Sequence, residues 1–237
     1  DSASTMHVID SQAASRMALP LTDETIAVRR TDCVQKQPTT APVNLKIGDF
    51  VMKKMPLLVL PLDGIDGILG LPLFEQFLVQ VDYRASKVRL FSKNAAPSFD
   101  GARAASLQTV DGLMGLRLID PAGRPGLFVL DTGCSREVLI SRLASRKFGF
   151  CKASSAGAQV LYAGGGIKAL RFSRTSWQIG TRLLPDVESL VCTETTNGLL
   201  GDCKWAGIIG NGLLSRFKVT FDLPGQKVFI ESSCSLR

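Results

Sequence analysis

The sequence predicts an all-β protein, mainly strands with a few short helices, folded as two lobes from an internal duplication. Three observations predict it. The stretch Gly67–Asp82 recurs 140 residues later as Gly207–Asp222, with glycine, apolar and Asp positions coinciding across the sixteen residues. Further matches lie upstream, Leu45–Gly48 with Trp177–Gly180 at a spacing of 132 and Val8–Ala13 with Leu139–Ala144 at 131. The apolar runs between these landmarks are short and punctuated by Pro, Gly and Asn, as a β-rich domain requires.

Taken in order, the first half offers a helical piece at Asp10–Met17, strands at Leu57–Leu60, Phe77–Asp82 and Val88–Phe91, and a short turn after Gly70. A small, polar, turn-rich stretch follows. The expected organisation is therefore a first lobe over residues 1–93, a linker over 94–106 and a second lobe over 107–237. In the second half, strands are expected at Gly115–Ile119, Leu127–Leu130, Ala169–Phe172 and Phe217–Phe221, with helical pieces at Ser141–Arg146 and after Gly210. Pro121-Ala122-Gly123-Arg124-Pro125 makes a hairpin tip between the first two of these strands. The difference between the spacings of 132 and 140 is absorbed by the segment Thr193–Cys203.

Composition narrows the function classes. Of 237 residues, 45% are hydrophobic and 21% charged, ordinary for a chain that buries a core. No apolar run reaches the eighteen or so residues of a membrane span. The N-terminus lacks the basic-then-apolar pattern of a signal peptide, so an exported protein would be in its mature form here. The net charge is +7, yet Lys and Arg occur as scattered pairs such as Arg29-Arg30 and Lys53-Lys54, without interleaved aromatics. That is a solvated basic surface, and nucleic acid is not an expected partner. Six cysteines form no Cys-x-x-Cys pair and there is a single histidine, His7, so no metal site is expected. Cys192 and Cys203 bracket a loop that a disulfide could close, and the even cysteine number points mildly to a secreted or periplasmic setting. Free buried thiols are the competing reading.

The chemistry lies at Asp131-Thr132-Gly133, where the apolar run Gly126–Leu130 stops and Gly permits a tight turn. Stepping back about 130 residues from Asp131 lands on Asp1-Ser2-Ala3. Two-fold related halves bring these carboxylates together, and two carboxylates in contact share one proton. One then serves as base towards a water while the other protonates a carbonyl oxygen. The hydroxyls of Ser2 and Thr132 are expected to brace the opposing loops.

On these residues, together with Ile68-Leu69-Gly70 and Ile208-Ile209-Gly210, the chain resembles the bilobal aspartic proteases of the pepsin/retropepsin superfamily. It is closest in style to the bacterial retropepsin-like aspartyl proteases. The resemblance implies a pepsin-like two-lobed fold and an aspartic endopeptidase. Asp1 and Asp131 would be its catalytic pair, and Ser2, Thr132, Gly133 and the two apolar-apolar-Gly signatures would support them. It also implies an extended peptide or protein substrate between the lobes, no metal and no organic cofactor. Such enzymes carry a hairpin flap, for which Tyr162, Gly164, Gly165 and Gly166 are the candidate; the corresponding first-half stretch, Cys33–Pro42, has no glycine.

Two departures stand against the resemblance. Ala3 replaces the loop glycine, adding a methyl at a tight turn. Asp1 has no strand before it, and an α-ammonium on that residue favours the ionised carboxylate. Either further residues precede Asp1, or a cleaved N-terminal segment stays bound, or the first site is degenerate. The alternative function is then a catalytically impaired peptide- or protein-binding relative on the same fold. His7 is expected to be non-catalytic, near the cleft or the surface.

Overall fold

In the computed structural model, residues 1–30, 33–92, 97–99, 102–150, 157–162, 165–194 and 197–232 are described, with backbone alone for 157–162, 165–168 and 170–173. The first lobe runs β1 (Val8–Asp10), α1 (Ser11–Arg16), β2 (Leu21–Arg29), β3 (Val34–Thr40), β4 (Val43–Ile47), β5 (Phe50–Met55), β6 (Leu58–Leu60), β7 (Gly67–Ile68), α2 (Leu71–Gln76), β8 (Leu78–Asp82) and β9 (Lys87–Phe91). The second runs β10 (Arg103–Val110), β11 (Leu113–Ile119), β12 (Pro125–Asp131), β13 (Val138–Ile140), α3 (Arg142–Lys147), β14 (Gly157–Tyr162), β15 (Gly165–Ile179), β16 (Arg182–Cys192), β17 (Gly207–Gly210), α4 (Asn211–Leu214), β18 (Phe217–Asp222) and β19 (Lys227–Ser232). The protein is mainly strand, as expected.

The duplication is visible in the pairing. β1 lies parallel to β6 and antiparallel to β7. β13 lies parallel to β16 and antiparallel to β17. Each lobe then turns through a short helix started by a side-chain cap. Asp10 accepts from the N–H groups of Gln12 and Ala13, and Ser141 accepts from that of Ala144. These residues are 131 apart, the spacing of the upstream repeat. The caps also explain why each helix begins one residue later than the apolar pattern suggests.

Among the described residues, the two halves of the chain join through one antiparallel pair of strands, β8 against β18, in which Gln80 stands opposite Thr220. These two residues are repeat equivalents, 140 apart. The Gln80 amide donates to the Thr220 hydroxyl at 3.1 Å. A residue can face its own equivalent across an antiparallel pair only where a two-fold axis passes between the strands. The pseudo-symmetry axis of the molecule therefore runs through this pair. Residues 103–106 of the expected linker pair with β19, while 94–96 and 100–101 lie outside the described residues.

Packing follows the apolar runs. Phe128, Val129 and Leu130 of β12 are fully buried, and Phe128 meets Trp177 edge-on at 5.4 Å between ring centres. Each such side chain contributes about 1.5–3 kcal/mol by leaving water. This anchoring fixes the strand that ends at Asp131. Pro121–Pro125 forms the expected tip between β11 and β12, with Gly123 at φ +78°. The plausible Cys192–Cys203 bridge does not form. Both are free thiols; Cys192 is buried and Cys203 exposed, so they face different environments. Cys151 and Cys234 lie outside the described residues.

Candidate active site

The pseudo-axis meets a second pair of repeat equivalents at the other candidate loops. The Ser2 N–H donates to the Thr132 hydroxyl at 3.0 Å, and the Thr132 N–H donates to the Ser2 hydroxyl at 3.0 Å. The two loops thus brace each other reciprocally. Ser2 Oγ also donates to the Leu130 carbonyl at 2.8 Å and is fully buried. Within each loop the carboxylate closes a tight turn: Ala3 N–H donates to Asp1 Oδ1 at 2.7 Å, and Gly133 N–H to Asp131 Oδ1 at 2.8 Å. Both carboxylates crowd one point. A methyl on Gly133 would come to 2.5 Å from Asp1 Oδ2 and 3.2 Å from Asp131 Oδ1. The two oxygens are no further apart than the sum of those distances, about the reach of a single bridging water.

The supporting signatures also behave as equivalents. Leu71 N–H donates to the Ser4 carbonyl at 2.7 Å and Asn211 N–H to the Cys134 carbonyl at 2.5 Å. Gly70 and Gly210 each lie so close to a neighbouring loop that a methyl would meet its carbonyl oxygens, Met6 O at 2.1 Å and Arg136 O at 2.2 Å respectively. Leu69 O accepts from the Asp1 nitrogen at 2.6 Å. Ile68 and Ile208 line the cavity above, while Ile209 is fully buried.

That cavity, about 1160 Å³, has Asp1, Asp131, Thr132 and Gly133 in its wall and takes residues from both lobes. Ile26–Arg30, the end of β2 in the hairpin β2–β3 and the residue after it, line the same cavity as the carboxylates. The glycine-rich candidate is a hairpin as well, β14 paired with β15 through Tyr162 opposite Gly165. Its tip, including Gly164, lies outside the described residues.

Residues 1–73 match the family model described as aspartyl protease. The aspartic proteinase from Irpex lacteus is similar in fold, with a TM-score of 0.52 at 14% identity, over 90% of this chain and 82% of that one. Residues 1–73 therefore match the aspartyl protease family, and the chain as a whole shares the fold of a pepsin-like aspartic proteinase. A retropepsin-like aspartic protease from Rickettsia conorii also matches, at 22% identity and a TM-score of 0.38, over 55% of this chain and 90% of that one. No curated protein sequence is similar enough to match the chain.

Burial raises the Asp131 carboxyl above the usual carboxylate range, against the opposing pull of the Gly133 and Cys134 N–H donors. Cys134, also in the cavity wall, is pushed up to about 11 by burial and by Asp131, so its thiol stays protonated and is a poor nucleophile. The Ala3 substitution is accommodated. Its φ is not among the positive values, and its methyl packs on the apolar core. The asymmetry follows from position, because a methyl on Gly133 would strike the Asp1 carboxylate and one on Ala3 does not.

His7 is buried just behind the cleft wall, between Met6 and Val8 that line it, and not at the surface. It is 1% exposed, and its Nδ1 accepts from the Gly70 N–H at 3.0 Å. At the equivalent place in the second lobe the Glu137 carbonyl accepts from Gly210 N–H. A protonated imidazole cannot accept there, and burial lowers its pKa. The unfolded chain therefore takes up the proton first as pH falls. Stability should drop by up to about 1.4 kcal/mol per pH unit from about pH 6.5 down to the folded pKa. Chemical denaturation of wild type against His7→Gln between pH 7.5 and 4.5 should show the two curves diverge in that window. Parallel curves would exclude the effect.

The brace has its own expected outcome. Ser2→Ala leaves the Leu130 carbonyl and the Thr132 N–H without their partner in a buried place, at about 1–3 kcal/mol for each. Ser2→Thr keeps the hydroxyl and should retain most of that stability in denaturant titration.

Proposed function

We propose that the protein is an aspartic endopeptidase that hydrolyses peptide bonds with a water held between Asp1 and Asp131. The observation that carries this reading is the crowding of both carboxylates against Gly133 at the base of a cavity between the lobes. Burial favours the proton on Asp131, which makes it the donor to the scissile carbonyl oxygen. Asp1 takes a proton from the water as the water oxygen bonds to the carbonyl carbon. The tetrahedral diol then collapses: the C–N bond breaks, the amine nitrogen takes a proton, and the pair returns to sharing one. The reciprocal Ser2–Thr132 bonds hold the carboxylates in place through these steps.

The substrate would lie extended between the lobes. Ile26, Val28, Leu58, Leu60, Leu199 and Ile208 in the wall supply apolar surface, so apolar side chains are favoured near the scissile bond. The test is cleavage of a denatured protein mixture between pH 3 and 7, with and without a peptide carrying a hydroxyl that mimics the tetrahedral carbon. Cleavage that the mimic leaves undiminished would reject the mechanism.

A further inference from the structure

The end of β2 does more than line the cavity. It is tied to the other lobe. Arg29 reaches Asp202 at 3.1 Å and Asp111 at 3.7 Å, both second-lobe residues. Lys204 completes the cluster, with its ammonium 2.9 Å from Asp111 and its N–H donating to Asp202. Beside it the Leu199 N–H donates to the Arg30 carbonyl at 2.8 Å. Arg29, Arg30, Asp111 and Leu199 all stand in the cavity wall. Residues of the two halves that line the cavity are thus tied together, so a long polypeptide lying in it must pass this bridge or part it.

We propose that the Arg29–Asp202–Asp111 bridge is a specificity gate: it admits short or chain-end segments freely and makes entry of long polypeptides depend on breaking the ion pairs. This rests on the protease reading of the cleft. Arg29 is a positioning residue in this account, acting through the hairpin and touching no reacting atom. The bridge has the strength a gate needs. Arg29 and Asp111 are each about two-fifths exposed, so their attraction is modest and salt weakens it. Asp202 is 12% exposed, so the more exposed cation is tied to a largely buried carboxylate. Asp111 comes from the turn after β10, and Asp202 from the part of the second half to which the sequence assigns the extra length of the repeat, Thr193–Cys203.

Two measurements test it. Hydrogen exchange of the β2–β3 amides, read in an Asp131→Asn background so that no cleavage interferes, should be roughly two- to tenfold faster in Arg29→Ala, as expected for two exposed ion pairs. Raising salt to about 1 M should bring Asp131→Asn alone to the same rate. The charge swap Arg29→Asp with Asp202→Arg should return exchange towards the starting value. In the active enzyme, Arg29→Ala should raise kcat/KM on a long unfolded protein more than on a short peptide, by a similar factor. Unaltered exchange in Arg29→Ala, or an equal change on long and short substrates, overturns the gate. If the active enzyme cleaves nothing, the protease reading fails, and the exchange result alone still decides whether the bridge holds the hairpin.

Discussion

Asp131→Asn should lower cleavage of an unfolded protein by about three orders of magnitude or more, the scale of losing an acid–base group and the pairing that tunes it. The fold should survive, because an Asn side-chain oxygen can still accept from the Gly133 and Cys134 N–H groups as Asp131 Oδ1 does. Its stability should respond to pH in an informative direction. The folded pKa of Asp131 is raised, so the folded state binds its proton more tightly than the unfolded chain. Wild type therefore holds that stability at low pH and loses it as pH rises through the folded value. Asp131→Asn has no such proton to lose. Measured by denaturant titration at pH 3.5 and pH 7, the variant should gain on wild type at the higher pH. A variant with wild-type turnover would exclude Asp131 from the chemistry; one that gains nothing at pH 7 would show that burial does not control its proton.

Gly70→Ala should be among the most damaging single-atom-scale changes in the molecule. Its methyl would sit 2.1 Å from Met6 O and 2.5 Å from Ser4 O, both main-chain atoms. No side chain can swing away to relieve such contacts. Ser4 O is itself bonded by Leu71 N–H, and Gly70 N–H by His7, so the surrounding backbone is held. The cost should reach about 3 kcal/mol, the upper end for overpacking. For a chain of this size that lowers Tm by at least about 6 °C. Cleavage should fall further than folding explains, because the adjoining Leu69 carbonyl holds the Asp1 nitrogen. Gly48→Ala is the control: φ there is +57° with nothing within 4 Å, so only a backbone cost of about 1 kcal/mol is expected. Equal Tm values for the two variants would contradict the crowding.

The comparison of sequence with structure separates two kinds of information. The repeat Gly67–Asp82 and Gly207–Asp222 was legible because it is carried by glycines and Asp residues whose positions are set by close backbone approach, and such contacts tolerate few residue types. Sliding by the repeat length then placed Asp1 opposite Asp131, and the structure brings both against Gly133. The strands were legible wherever burial on both faces leaves continuous apolar runs, as in β12. The hairpin β2–β3 was not. Its first strand reads Leu-Thr-Asp-Glu-Thr-Ile-Ala-Val-Arg, mostly exposed, and its place at the cavity depends on contacts with the distant segment 199–204. Arg29-Arg30 looked like one more solvated basic pair for the same reason. An ion pair between residues 173 apart leaves no local pattern. The role of His7 was hidden similarly, because an imidazole replacing a main-chain acceptor is a substitution visible only once both lobes can be superposed by their hydrogen bonds.

The two-fold axis through Gln80–Thr220 and Ser2–Thr132 raises a question of direction. A polypeptide has an amino end and a carboxyl end, and turning it end for end is not a symmetry of the chain. A cleft with perfect two-fold symmetry presents identical walls to both orientations and so reads neither in preference. Polarity must come from whatever departs from the symmetry. Here the departures are concrete: a methyl at Ala3 against bare backbone at Gly133, and a hairpin of the first lobe moored to the second at Arg29. Departures of this kind, rather than the paired carboxylates, are where a preferred direction of the peptide has to come from.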